Sequence, residues 1–297
     1  MGLWKAVREQ TIDTNRPLQM LFKTGFRGLE YLPTVGRNIF DYEWNACVVL
    51  DACRYDLFEE FACTHEVSQY FQEIEPAWSL ASRTPDWIPR TFGSAPDSIL
   101  TDTVYVVDNG HSTLIPTDSA VKLDEVWRYA SEDGSWLVDE SIVTDRALYH
   151  LRENESERLL VHYTVPHAPF RHKMDYYSTS DDSLSSDVWN GLESGEFEYE
   201  DIWKDYGQNL LRGLNEVHKL VKAIDGKILL TSDHGNLMGE YGQYGHIAGL
   251  FPPVRRVPWV WVEGQGTTAP SELQSDCQTR TTETASVEDN LTALGYK

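Results

Sequence analysis

The apolar residues of the chain fall into short blocks that end in polar residues, and helical patterns separate these blocks. Four blocks are rich in Val, Ile, Leu or Trp and too short for helices, which predicts buried strands. These blocks lie at 46–50, 158–167, 226–235 and 257–262. Two further stretches, 67–74 and 101–109, are weaker strand candidates.

Amphipathic helical patterns occupy the intervals between these strands. They cover residues 84–92, 123–130, 144–152 and 202–224. Strands that alternate with helices predict an α/β fold, with a mostly parallel central sheet and helices on both of its faces.

The flanks of this pattern differ from its centre, which predicts three regions. Residues 1–43 carry an intermittent apolar stripe and form an N-terminal helical extension, and residues 44–263 form the main domain. Residues 264–297 form a polar, threonine-rich linker followed by a short C-terminal helix. Within the main domain, residues 175–201 are acidic and serine-rich, which predicts a loop or insertion near the site.

Three of the predicted strands lead into residues that bind metals or anions. The first ends at Asp51, the second leads to His167, and the third leads to Asp233 and His234. Ligands of open parallel sheets bind at the carboxyl ends of the strands. An oxygen-rich set with one imidazole suits a divalent cation such as Ca, Mn, Mg or Zn. The alternative is that Asp233 caps a turn and His234 is a buried structural histidine.

The net charge of the chain limits the kinds of molecule that it can bind. Its 297 residues include 47 acidic and 25 basic side chains, a net charge of -22. Such a surface repels nucleic acid, and together with arginine outnumbering lysine it favours an origin in a salt-rich cytoplasm, as in a halophile. No apolar run approaches the roughly 18 residues of a membrane span. We therefore expect a cytoplasmic protein with no nucleic-acid partner and no integral membrane segment.

Several short motifs carry a family resemblance. TSDHGNLMGEYGQYGH followed by VRRVPWVWV resembles the sulfatase-type signature, VVLDACRYD resembles its first metal-binding strand, and TVPHAPF resembles its substrate-side His-x-Pro segment. Phosphoethanolamine transferases and lipoteichoic acid synthases have comparable segments. The chain thus resembles the sulfatase-like branch of the alkaline phosphatase superfamily, which implies an alkaline phosphatase-like fold.

The resemblance also implies roles for individual residues. Asp51, Asp233 and His234 would be metal ligands. His167 and His246 would contact the transferred anion or its leaving group. His246 has two alternatives, a place in a second metal site or a plain position in a surface loop.

Two hydroxyl groups compete for the role of nucleophile. Ser79 begins a Ser-Leu-Ala-Ser-Arg stretch that resembles the Cys/Ser-x-Pro-x-Arg frame of sulfatases, in which the first residue becomes formylglycine and Arg83 follows. Ala81 stands where that frame has proline. Thr84 resembles the Thr-Ser-Asp segment of lipoteichoic acid synthases, although it could equally be an N-cap before Pro85. We prefer Ser79 over Thr84 at this point.

The expected activity is a metal-dependent hydrolysis of sulfate or phosphate esters through a covalent intermediate on a hydroxyl group. The substrate would be a small anionic ester, with a sugar as one candidate for its alcohol part. One alternative is a phosphotransferase or phosphodiesterase that acts on sugar or lipid head groups. A second is a catalytically silent binding protein, because Ala52 stands where many sulfatases have a second acidic ligand.

Overall fold

The computed structural model describes most of the region predicted to form the main domain. The described residues are 36–130, 137–153, 157–176 and 184–273. The predictions for residues 1–35 and for the C-terminal helix after residue 273 lie outside them.

A seven-stranded sheet forms the centre of the molecule, in the order β2-β9-β6-β1-β5-β3-β4. Its strands are β1 (Ala46–Leu50), β2 (Phe71–Trp78), β3 (Thr103–Val107), β4 (Lys122–Glu125), β5 (Arg158–Tyr163), β6 (Asp225–Thr231) and β9 (Arg256–Gln265). The five strands from β6 to β4 are parallel, and β9 is antiparallel to β6 and β2. A separate hairpin pairs β7 (Leu237–Met238) with β8 (Tyr244–Gly245).

Helices cover both faces of the sheet. Successive side chains of a central strand point to opposite faces, so both faces are apolar and each is buried in its own cluster. Ala46, Val48 and Leu50 of β1 belong to one cluster, and Cys47 and Val49 belong to the other. The α-helices are α1 (Tyr55–Phe61), α2 (Thr84–Phe92), α3 (Asp97–Thr101), α4 (Glu140–Glu153), α5 (Leu184–Ser194), α6 (Tyr199–Ala223), α7 (Pro252–Arg255) and α8 (Pro270–Leu273). The predicted α/β fold with a mostly parallel sheet is confirmed.

The helices divide between the two clusters. Residues of α1, α4, α5 and α6 pack in the first cluster, and residues of α2 and α3 pack in the second. Short 3₁₀ helices connect the larger elements at Ile39–Asp41, Ala62–Thr64, Glu66–Tyr70, Gly110–Leu114, Val126–Arg128, Arg171–Tyr176 and Glu240–Gly242.

The helix predicted at 123–130 is wrong. Lys122 to Glu125 instead form the edge strand β4, which pairs with β3. The carboxylate of Asp124 is held in this strand, where it accepts hydrogen bonds from Tyr129, Arg146 and His150. Pairing with β3 overrides the local helical pattern.

The loop predicted over 175–201 is also wrong where the structure describes it, because α5 occupies Leu184–Ser194 and α6 begins at Tyr199. Val188, Trp189 and Leu192 are buried, and their spacing places them on one helical face. Asn190, Glu193 and Ser194 of the same helix are exposed.

Part of the predicted N-terminal extension packs against the main domain. Ile39 and Phe40 are buried in the second cluster, and Asn38 Nδ2 donates to the carbonyl oxygen of Thr91. The boundaries at residues 43 and 263 remain predictions, although β9 continues to Gln265.

Candidate metal and ester-transfer site

Asp51 lies directly after β1, at the carboxyl edge of the parallel strands. Its carboxylate is fully buried, and its Oδ2 accepts a hydrogen bond of 2.9 Å from Asn109 Nδ2. Among the described residues, no group donates a hydrogen bond to Oδ1. Burial and then the nearby charge of Asp233 raise the pKa of Asp51 well above its usual value. A bound cation would remove both penalties.

Asp233 follows β6, and its two carboxylate oxygens have different surroundings, as those of Asp51 do. Its Oδ1 accepts hydrogen bonds from the backbone N–H groups of Ala52, at 3.0 Å, and His234, at 2.8 Å. Ala52 adopts a left-handed conformation (φ 61°), which is uncommon for a residue with a side chain and directs its N–H at this carboxylate. Oδ2 is left to face the centre of the site.

Thr84, the first residue of α2, reaches the same point from the opposite side. Its hydroxyl is fully buried and donates to Asp233 Oδ2 at 2.7 Å, and it lies 3.3 Å from His234 Nε2. The structure therefore brings Thr84 together with Asp51, Asp233 and His234.

The spacing of these atoms fits a divalent cation. Ligand atoms at 2.0–2.1 Å from a tetrahedral zinc ion are about 3.4 Å apart. His234 Nε2 lies 3.5 Å from Asp51 Oδ1 and 3.5 Å from Asp233 Oδ2. The other nitrogen, Nδ1, lies 2.9 Å from the carbonyl oxygen of Gly235, so Nδ1–H donates there and Nε2 keeps its lone pair.

Gly235, the residue after His234, lies in a space that leaves no room for a side chain. A Cβ atom at this position would collide with the carbonyl oxygen of Pro253 and approach Arg54 Cγ to 2.8 Å. The absence of a side chain lets the loop after β6 pack against α7, which holds His234 in place.

Two further histidines border this centre. The ring of His246 lies 4.8 Å from that of His234 and 5.1 Å from that of His167, measured between centroids. Asn236 anchors His246, with 3.0 Å between Asn236 Oδ1 and His246 Nδ1. Burial and the neighbouring His234 lower the pKa of His167 to about 4, and burial lowers that of His246 well below its usual value. Both imidazoles are therefore neutral at pH 7 until an anion binds beside them.

Comparisons with known proteins give a fold but no close relative. No family model matches the chain, and no curated protein does. The soluble domain of lipooligosaccharide phosphoethanolamine transferase A from Neisseria meningitidis is similar in structure, with a TM-score of 0.54 and 14% identity over 74% of this chain and 76% of that domain. A putative sulfatase from Bacteroides thetaiotaomicron has a TM-score of 0.50 and 10% identity over 77% of this chain and 68% of that protein.

The chain therefore shares its fold with solved structures of a phosphoethanolamine transferase and a putative sulfatase, and we call it a sulfatase-like fold. It spans less than half of the integral membrane form of the Neisseria transferase, 47% of that chain, with a TM-score of 0.55 and 14% identity over 74% of this chain. None of the described helices of this sulfatase-like fold is long and apolar enough to span a bilayer. The expected cytoplasmic location and halophilic origin stay predictions.

Ser79 occupies a different position in this sulfatase-like fold from Thr84. Its hydroxyl donates to the backbone carbonyl oxygen of Asp233, and its own carbonyl oxygen accepts from Arg255 at 3.0 Å and 2.6 Å. The hydroxyl bond connects the end of β2 to the loop after β6, and the bonds from Arg255 connect it to α7. The nucleophilic role of Ser79 stays a prediction, and its hydroxyl donates to the backbone rather than to the Asp233 carboxylate.

Arg83 is the N-cap residue of α2 and lies beside the site. Its Nε and Nη2 atoms donate to Asp86 Oδ2 at 2.8 Å and 2.6 Å, and its side chain is 39% exposed. A guanidinium group at this edge can donate hydrogen bonds to an anion that enters the site.

Three groups that surround the centre have no role in the sequence-based predictions. Asn109 donates to Asp51, His111 is buried two residues later, and His162 projects from β5 with its Nε2 4.0 Å from Asp233 Oδ2. All three lie at or next to the ends of parallel strands. The alternation within β5 could have indicated His162, because it shares the sheet face of Leu160.

Asp108 offers a test of the electrostatics beneath this site. Burial raises the pKa of Asp108 to about 6, although Thr164 donates to its Oδ1 at 2.7 Å. The folded protein thus keeps a proton that the unfolded chain releases near its ordinary pKa of about 4. Stability is lost as the pH rises from about 4 through about 6 and stays lower above.

Asp108→Asn removes this titration and keeps an oxygen that can accept from Thr164. We expect it to stabilise the fold at about pH 8, relative to about pH 4, by on the order of 2 kcal/mol. Urea denaturation at constant salt with a chelator measures the difference. An equal effect at both pH values would contradict the raised pKa.

Proposed function

We propose that the chain is a metal-dependent enzyme that cleaves or transfers phosphate esters through a covalent intermediate on Thr84. One observation carries this proposal: the Thr84 hydroxyl lies 2.7 Å from Asp233 Oδ2 and 3.3 Å from His234 Nε2 at the start of α2. This is the position that a nucleophile bound to the same cation as Asp233 and His234 would need.

Asp51, Asp233, His234 and Thr84 would hold the cation. The bound cation would lower the pKa of the attacking hydroxyl and neutralise charge on the transferred group. The donor set of carboxylates, one hydroxyl and imidazole suits Zn or Mn, and it is also compatible with Mg or Ca. Asn109 donates to one oxygen of Asp51, and the backbone N–H groups of Ala52 and His234 donate to one oxygen of Asp233, so the other oxygen of each carboxylate is directed inward.

The first step forms one bond and breaks one. The Thr84 hydroxyl loses its proton to solvent, its oxygen attacks phosphorus, and the bond to the leaving alcohol oxygen breaks, while Asp233 Oδ2, which lies 2.7 Å from that hydroxyl, would stay a ligand of the cation. His167 and His246 face the same centre. The negative charge of a bound substrate would raise the pKa of these buried imidazoles, and whichever of the two is then protonated would give its proton to the departing alcohol.

A second step releases the phosphate. Water, or an acceptor alcohol in a transferase, attacks the phosphothreonine and loses a proton, the bond between phosphorus and the Thr84 oxygen breaks, and the Thr84 oxygen takes up one proton. Arg83 at the edge of the site would bind a non-bridging oxygen through both steps. The structure neighbours include a phosphoethanolamine transferase and a sulfatase, and the placement of an unmodified threonine favours phosphate over sulfate esters.

Trapping the intermediate tests this proposal. The full chain is incubated with an aryl phosphodiester, an aryl phosphate monoester or an aryl sulfate, each with Zn, Mn, Mg or Ca, then quenched in acid and digested. We expect turnover of a phosphate ester and a phosphate-bearing peptide in which Thr84 is modified. Formylglycine at Ser79 with sulfate turnover would instead support a sulfatase. A chain that binds no divalent cation would support the silent binding protein.

A further inference from the structure

His162 is a buried histidine on β5 that lies beneath the predicted metal centre. Its ring is enclosed, with ring centroids 5.7 Å from Trp87 and 6.2 Å from Tyr105. Its Nδ1 lies 2.8 Å from the hydroxyl oxygen of Tyr105. These contacts fix the orientation of the imidazole, so the direction of its other nitrogen is determined by the fold.

That other nitrogen, Nε2, points toward the centre. Among the described residues it has no hydrogen-bond partner, although it is fully buried, and Asp233 Oδ2 lies 4.0 Å away. A buried polar atom without a hydrogen bond destabilises the fold, and a cation bound by this nitrogen would offset that cost.

The surrounding donors supply the geometry for such an interaction. One carboxylate oxygen of Asp51, one of Asp233 and one ring nitrogen of His162 all lie within 4.8 Å of one another. The separation of 4.0 Å between His162 Nε2 and Asp233 Oδ2 is too long for a hydrogen bond but short enough for both atoms to bind one cation.

We propose that His162 is a further ligand of the divalent cation, binding through Nε2 alongside the two aspartates and His234. This inference rests on the metal centre of the proposed function. Nδ1–H would donate to the Tyr105 oxygen, which leaves the lone pair of Nε2 for the cation. A second imidazole in the ligand set makes the site select a transition metal such as Zn, Mn or Co over Mg and Ca.

Cobalt(II) provides the probe for this proposal, because its absorption spectrum reports the ligand set. The full chain is stripped of metal and titrated with Co²⁺, and the cobalt-edge X-ray absorption of the wild type counts its imidazole ligands. We expect at least two imidazoles, and we expect His162→Leu to weaken Co²⁺ binding roughly tenfold to 100-fold and to change the visible spectrum.

His218→Leu is the matched control. His218 lies on α6 and is also buried, and its Nδ1 lies 2.7 Å from the carboxylate of Glu66, away from the predicted metal centre. It is expected to keep the wild-type spectrum and affinity. A wild-type count of one imidazole, or an unchanged spectrum in His162→Leu, would overturn the role of His162 and leave the proposed function standing. Failure of the wild type to bind any divalent cation would instead overturn the proposed function. Where His162→Leu does not fold, a wild-type count of one imidazole still overturns the role of His162.

Discussion

Thr84→Ala is expected to lower the turnover of a phosphate ester by on the order of 10³-fold or more, because it removes the attacking oxygen. The fold should persist. The lost hydroxyl makes one hydrogen bond to Asp233 Oδ2, and such a bond contributes about 1 kcal/mol. Steady-state kinetics with each metal, together with thermal unfolding, separate the two effects.

Ser79→Ala is the matched control for this prediction. It also removes one buried hydroxyl, which donates to the Asp233 carbonyl oxygen rather than to its carboxylate. We expect a stability loss of about 1 kcal/mol with most of the activity retained. Thr84→Ser, which keeps the oxygen, should retain measurable turnover. Full activity in Thr84→Ala combined with inactivity in Ser79→Ala would assign the nucleophile to Ser79.

Asp233→Asn is expected to abolish turnover and to weaken binding of the divalent cation by on the order of 100-fold or more. The substitution removes a charged ligand from a fully buried centre. The fold should survive, because an asparagine Oδ1 can still accept from the backbone N–H groups of Ala52 and His234. Metal content, isothermal titration with Zn²⁺ and circular dichroism measure the three properties.

Asp124→Asn controls for the loss of a buried carboxylate away from the centre. Asp124 is 8% exposed and accepts hydrogen bonds from Tyr129, Arg146 and His150 on the edge of the sheet. This variant should lose stability but keep the metal and the activity. Full residual activity in Asp233→Asn would exclude the role proposed for Asp233.

Local pattern predicted the fold and much of the neighbourhood of the site. The apolar blocks at 46–50 and 226–231 are strands, and the polar residues after them, Asp51 and Asp233, lie together at one edge of the sheet. Periodicity suffices here because a buried parallel strand requires a continuous apolar run, and its carboxyl end is where the chain leaves the core.

The local sequence pattern was insufficient where contacts with residues distant in the chain determined the structure. Residues 123–130 read as a helix, yet pairing with β3 makes 122–125 a strand. The motif frame favoured Ser79, five residues before Thr84, and only the end of β2 and the start of α2 determine which hydroxyl faces Asp233 Oδ2. Loop geometry of this kind depends on contacts that no local spacing encodes.

The sequence by itself determined an acidic α/β protein with carboxylates and imidazoles at the ends of its parallel strands, because apolar periodicity and chain polarity are local properties. The tertiary structure alone decided which atoms meet. It brought Thr84 and His162 beside Asp233 from residues 149 and 71 positions away along the chain. The distance between side chains so far apart in sequence is fixed by the packing of the sheet and α2, which no run of residues contains.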